Sequence, residues 1–147
     1  MGGSNKIFLR QGFNQEIERY NSITLEFMPT SVVPIFRIFD YKKTIEFYVD
    51  WLGFKIDWEH KFAEDSPIYM QVSRDGIVLH LSEHHGDCAP GSKAYITVDD
   101  AKKLYKEICS RPYKYNHPGL EQAPWNAPCF EVIDPFSNKL LITEEGK

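Results

Sequence analysis

The stretch Gly76-Ile77-Val78-Leu79-His80-Leu81-Ser82-Glu83, entered through Asp75-Gly76, decides how the rest of the chain is read. Asp-Gly between two alternating runs is a hairpin turn signal, because both positions accept a positive φ. Residues 77–82 are then the second arm of a hairpin whose first arm is 68–73. Alternate side chains of a strand face opposite ways, so Ile77, Leu79 and Leu81 share an apolar face and Val78, His80 and Ser82 share the other. The apolar face needs a core. The second face offers an imidazole to whatever lies opposite.

Upstream, residues 32–39 are β-branched and aromatic and predict a strand, with Pro34 tolerated only early or on an edge. Asp40 stands at an N-cap position; Ile45, Tyr48, Val49 and Leu52 then recur at helical spacing until Gly53 closes the helix. Phe54, Ile56 and Trp58 alternate in a strand out to about His60, and residues 62–66 form a polar loop. Downstream, the polar and turn-rich segment 83–91 predicts a linker.

After the linker the order repeats. Residues 93–98 predict a strand, and Asp99 or Asp100 caps a helix carrying Ala101, Leu104, Tyr105 and Ile108. A short strand at 113–117 and a Pro-rich loop at 118–128, holding Trp125, come next. Strands at 129–133 and 140–143 flank the turn Asp134-Pro135-Phe136-Ser137-Asn138. Residues 1–31 stand apart as an N-terminal extension that packs on the domain or on a partner subunit, with a helical turn over 15–20 and an edge strand over 23–27.

Two rounds of β-α-β-β-β predict an α+β fold for residues 32–145, made of modules 32–83 and 92–145. Their strands form a cup-shaped, mostly antiparallel sheet with the helices on its outer face, which leaves the inner face to line a cavity.

Composition narrows the function classes. In 147 residues the apolar share of 42% and aromatic share of 14% suffice for a sizeable core. With 17 basic against 21 acidic residues the net charge is −4, which argues against nucleic acid and suits a neutral or cationic ligand. Cys88, Cys109 and Cys129 share no CxxC spacing and read as reduced thiols, which fits the cytoplasm. No apolar run is long enough to span a bilayer, and no leader pattern opens the chain.

The module order and its punctuation resemble the vicinal oxygen chelate superfamily, which includes glyoxalase I, extradiol dioxygenases and bleomycin resistance proteins. The resemblance rests on Phe39-Asp40, Thr44-Ile45-Glu46-Phe47-Tyr48, Leu52-Gly53-Phe54 and residues 76–81 in the first half. In the second half it rests on Val98-Asp99-Asp100, Pro124-Trp125 and Asp134-Pro135-Phe136-Ser137-Asn138-Lys139-Leu140. Leu79-His80-Leu81, Gly91-Ser92-Lys93 and Pro124-Trp125 look most like the bleomycin resistance branch.

Enzymes of that superfamily hold a divalent metal through four inward side chains, positions that fall here on Val33, His80, Lys93 and Leu141. Only His80 among these is a metal donor, and one imidazole cannot hold a first-row metal. The resemblance therefore implies neither metal nor cofactor and no catalytic residues. It implies antibiotic binding and sequestration in grooves at a homodimer interface, as in bleomycin resistance proteins. The alternative is a metal-dependent lyase, isomerase, dioxygenase or thiol transferase, with a displaced metal site built from His80 and His84, His85 or Glu83.

An aromatic-walled groove with a few polar handles suits a flat ligand. The side chains expected to line it are His80, Ser82, Arg37, Lys93 and Tyr95 on strands, with Trp58, Phe62, Tyr69 and Trp125 at its rim. Each has a blander role. His80 is equally a buried imidazole bonded to a neighbour, and Trp125 a loop anchor. Plain alternation puts Trp58 on the helix-packed side, and only a bulge would turn it to the cup. Lys93 and Arg37 can pair with Glu131, Asp57 or a ligand carboxylate, or reach to solvent. Residues 83–88 have the composition of a metal site but read as a solvated loop, and Cys109 and Cys129 read as core thiols.

Overall fold

The structure, a computed structural model, describes residues 31–146. The helical turn at 15–20 and the edge strand at 23–27 lie outside the described residues.

Each half begins with a strand, a helix and a return strand. In the first half these are β1 (Ile35–Arg37), a first helix, β2 (Lys55–His60), β3 (Tyr69–Arg74) and β4 (Ile77–Ser82). The second half has β5 (Lys93–Thr97), a second helix (Ala101–Cys109), β6 (Glu121–Gln122), β7 (Pro128–Ile133) and β8 (Lys139–Thr143). The sheets run β1-β4-β3-β2 and β5-β8-β7-β6, so each half carries its own four-stranded sheet. In both, the first strand lies parallel to the last and the other pairings are antiparallel.

Local chemistry explains the punctuation. Asp75 and Gly76 take φ of 48° and 83°, the mirror-turn conformation that matches strand twist in a two-residue hairpin. Asp40 and Asp100 cap the two helices by accepting from the amides of Lys43 (2.9 Å) and Lys103 (2.8 Å). The first helix is α-helical only over Tyr41–Thr44 and π-helical over Ile45–Trp51. The amide of Leu52 accordingly reaches the carbonyl of Phe47. That widening rotates the buried face: Phe47, Tyr48, Trp51 and Leu52 are buried, while Ile45 and Val49 are half-buried.

Two strands differ from expectation. β1 is shorter than 32–39, because Pro34 has no amide for the ladder and contributes only its carbonyl, to the amide of His80. Residues 113–117 form no strand. Tyr113 stacks on Trp51 at 4.7 Å and 18° and closes on Phe47 at 5.7 Å, and Asn116 donates to the Ile133 carbonyl. The short pairing partner of β7 is β6 instead.

One hydrophobic core serves both halves, with Phe36, Leu79 and Leu81 joined to Ile108, Phe130, Val132 and Leu140. Polar bonds fix the halves together. The Asn138 amide donates to the Arg37 carbonyl at 2.7 Å, and Arg74 bridges the Leu52 carbonyl to Glu107. The core side of each sheet is thus filled, and the opposite face is left for function.

Candidate functional site

Strand register assigns the free face of the first sheet. His80 pairs with Gln71 on β3 and Ile35 on β1, and Ser82 with Tyr69 and Arg37. The alternate residues Phe36, Met70, Val72, Leu79 and Leu81 are buried in the core. Tyr69, Gln71, Ser73, His80 and Ser82 therefore share the other face, as the period of two requires.

A bulge brings Trp58 to that face. Ile56 pairs with Val72, yet Trp58 pairs with Gln71, so Asp57 is the extra residue of β2. Strict alternation would have presented Lys55, Asp57 and Glu59; the shift adds Trp58 and His60 instead. Core packing of Trp58 is overturned. Its ring lies 5.9 Å from Tyr69 at an interplanar angle of 7° and edge-on to His80 at 5.3 Å. Asp57 pins the bulge: Oδ1 accepts from Ser73 and Oδ2 from Gln71, both at 2.9 Å, with Lys55 at 3.5 Å. The bonds from Gln71 and then Ser73 hold its carboxyl below the usual range.

His80 is committed at both nitrogens. Its Nδ1 lies 2.8 Å from the Tyr69 hydroxyl and its Nε2 3.0 Å from Gln71 Oε1. It acts as a post between two walls rather than as a free handle. Ser82 differs from expectation too. It is fully buried, donates to Asp87 at 2.6 Å and accepts from the His84 amide, so its hydroxyl anchors the segment after β4.

Beyond the strands, Phe62 stands exposed, with His60 edge-on at 4.8 Å and His84 at 5.9 Å. Trp58, His60, Phe62, Tyr69, His84 and Asp87 line an open cleft of about 420 Å³. Burial raises the Tyr69 phenol, and the nearby Asp87 adds to the shift, so Tyr69 stays a neutral hydroxyl.

Of the remaining expected residues, Arg37 shares the face of Ser82, with which it pairs, whereas Lys93, Tyr95 and Trp125 belong to the second half. Tyr95 and Trp125 meet at 5.8 Å on the second sheet, where Trp125 Nε1 donates to Thr143 at 3.0 Å, which makes it a loop anchor as well as a wall. Lys93 pairs with Glu131 at 2.5 Å. Arg37 is buried, lies 4.7 Å over the Phe39 ring and leaves Nη1 without a partner among the described residues. It pairs with neither Asp57 nor Glu131. No described contact joins the Trp58–Tyr69 group to the Tyr95–Trp125 group.

The four positions that the resemblance assigns to metal ligands do not fit one here. Val33 and Leu141 carry no donor atom, Lys93 is spent on Glu131, and both nitrogens of His80 are engaged. Glu83 turns to the Ile68 amide at 2.9 Å. Among the described residues no group of three or more His, Cys, Asp or Glu side chains is placed to hold a metal ion.

Comparison with known proteins agrees with this architecture. The sequence profile described as Glyoxalase superfamily protein matches residues 15–147. The chain belongs to the glyoxalase superfamily. Solved structures similar to it include a bleomycin-binding protein from bleomycin-producing Streptomyces verticillus, complexed with copper(II)-bleomycin. That protein is 25% identical at a TM-score of 0.61, over 82% of this chain and 98% of its own. A bleomycin resistance determinant encoded on the transposon Tn5 is 20% identical at a TM-score of 0.62, over 81% and 100%. A glyoxalase/bleomycin resistance protein/dioxygenase superfamily member from Sphaerobacter thermophilus is 19% identical at 0.60, over 81% and 100%. No curated protein matches the sequence.

His60 and Asp87 on the cleft, and Gln71 and Asp57 behind it, are not among the side chains expected to line the groove, and His84 was expected only as a ligand of a displaced metal site. An extra residue in a strand leaves no mark in an otherwise alternating sequence. The one hint is Asp57 itself, a carboxylate between Ile56 and Trp58 in a run otherwise fit for a sheet.

Proposed function

We propose that this protein binds and sequesters a flat aromatic small molecule, of the antibiotic class that the bleomycin-binding relatives hold, without using a metal. The observation that carries it is the nearly parallel pair of exposed Trp58 and half-buried Tyr69 at the edge of an open cleft, braced from behind by His80. Parallel aromatic faces in a concave site are the physical requirement for stacking a planar heteroaromatic. Asp87 on the same cleft and the net charge of −4 favour a cationic one.

A homodimer completes the site in this proposal. The Tyr95–Trp125 group forms a second aromatic surface on the other sheet, with Tyr95 57% exposed. Facing it with the Trp58–Tyr69 group of a second copy would enclose a ligand on two sides. The three free thiols suit the reducing cytoplasm. No described helix is long and apolar enough to cross a membrane.

Calorimetric and tryptophan-fluorescence titration with metal-free bleomycin tests the assignment. Saturable binding that weakens about tenfold or more in Trp58→Ala is expected. Absence of heat and of quenching at micromolar concentrations rules out the drug. Near-stoichiometric metal in the purified protein, lost in His80→Ala, would support the metal-dependent enzyme instead.

A further inference from the structure

We propose that Asp57, which does not line the cleft, is the positioning residue that makes the Trp58–Tyr69 cleft select planar ligands carrying a hydrogen-bond donor on their edge. This rests on the cleft being the small-molecule site and adds the polarity that the ligand must have.

One chain of contacts fixes where each proton sits. A carboxylate only accepts, so the Gln71 atom 2.9 Å from Asp57 Oδ2 is the amide nitrogen. That orientation leaves Gln71 Oε1 facing His80 Nε2 at 3.0 Å. A carbonyl oxygen cannot donate, so Nε2 carries the hydrogen. A neutral imidazole has a single N–H, and Nδ1 is therefore the acceptor. The group 2.8 Å from Nδ1 is the Tyr69 hydroxyl, which must donate its only proton inward.

The Tyr69 oxygen is then left with lone pairs alone for the cleft that it lines. Asp87 on the same lining accepts as well, its Oδ2 already taking the Ser82 proton, while the Trp58 indole carries the one fixed N–H there. Tyr69 and Asp87 therefore ask a ligand for N–H or O–H groups. The imidazoles of His60 and His84 can supply either role and do not change that demand. A ligand with only acceptors on its edge would leave its own groups and the Tyr69 oxygen unpaired, which costs affinity.

Asp57 also holds the bulge that turns Trp58 to the cleft, so one carboxylate outside the site fixes its stacking wall and its hydrogen-bond polarity.

The full chain tests this at about pH 8, first without ligand. Long-range nitrogen–proton correlation spectra are expected to show His80 in the Nε2–H tautomer. In Gln71→Leu and in Asp57→Ala that preference is expected to be lost. An Nδ1–H tautomer in the wild type would reverse the chain of donors and overturn the proposal.

The second arm uses benzimidazole and 1-methylbenzimidazole, planar probes that differ in one N–H, followed by the indole signal of Trp58. Benzimidazole is expected to bind about three- to tenfold more tightly, and the ratio to fall towards one in both variants. Gln71→Leu keeps the Ser73 bond to Asp57, so it holds the question open should Asp57→Ala loosen β2. Equal affinity in the wild type, or an unchanged ratio in Gln71→Leu, overturns the proposal. Failure of both probes to move Trp58 would sink it too, whereas failure of bleomycin alone removes only the drug assignment.

Discussion

The Tyr48 hydroxyl donates to Asp134 Oδ2 across 2.8 Å and ties the first helix to the turn between the last two strands. Both residues are buried. Asp134 is a collecting point: its Oδ1 accepts from the amides of Phe136 and Asn138, and its Oδ2 also takes the Asn138 side chain, each at 2.8 Å. Asn138 in turn reaches the Arg37 carbonyl beside the site face. Burial, then Asp134, pushes the Tyr48 phenol well above its ordinary value, so it stays a donor.

Tyr48→Phe removes that donor while keeping the ring among Phe47 and Phe54. The cost is about 1.5–3 kcal/mol, the worth of a bond to a charged acceptor. Urea denaturation checks it through a lower midpoint with an unchanged slope. The bond from Tyr48 lowers the Asp134 pKa, so carbon NMR should show Asp134 titrating at still higher pH in the variant.

Two carboxylates give stability opposite slopes with pH. Asp134 is raised, chiefly by burial. Its contribution is present below the ordinary Asp pKa and is lost as pH rises through the folded value. Glu107 is lowered, first by its bond from Arg74. Its contribution is present above the ordinary Glu pKa and is lost as pH falls through its folded value. Glu107→Gln should therefore cost up to about 1 kcal/mol at neutral pH and flatten the acid limb of the stability profile. Denaturant midpoints measured from pH 3 to 7 decide it; an unchanged acid limb would refute the assignment.

Gly53 closes the first helix at φ +77°, beneath two guanidinium groups. Arg74 bonds the Leu52 carbonyl and Arg111 the Trp51 carbonyl, so both cations cover the last carbonyls of the helix. An added Cβ would meet Arg74 Nη1 at 3.1 Å and Arg111 Nη1 at 3.3 Å. Gly53→Ala should cost about 1–2 kcal/mol from the left-handed conformation alone, with more from displacing the arginines. Thermal melting checks the loss, and Arg111→Ala in the same background should recover part of it by making room.

The duplicated fold was legible because its signals are local: Asp caps at 40 and 100, Gly53 at a helix end, and Asp75-Gly76 between alternating runs. The site was legible only in part. His80 and Tyr69 follow from parity, which needs nothing but a period of two. Trp58 does not, because its face depends on a bulge held by Ser73 and Gln71, residues distant in sequence. The π-helical turn at Ile45–Trp51 was hidden for the same reason, since its buried face comes from tertiary packing and not from spacing. Whether a polar side chain at a site position is free or spent also depends on partners: Ser82 is consumed by Asp87, and Lys93 by Glu131.

The thiols supply a last test. Cys109 and Cys129 both read as core thiols in the sequence, but Cys109 is exposed and only Cys129 is buried. The helix buries Ala101 and Ile108, and position 109 lies about 100° round from 108, towards solvent. Burial pushes the Cys129 thiol up, and burial together with Asp87 pushes Cys88 up, so both keep less of the reactive thiolate at neutral pH. A thiol reagent such as iodoacetamide, followed by peptide mass spectrometry, should therefore modify Cys109 first, Cys88 more slowly and Cys129 only on unfolding. Labelling of Cys129 at the rate of Cys109 in the folded protein would contradict the burial of Cys129 on β7, where it pairs with Thr143.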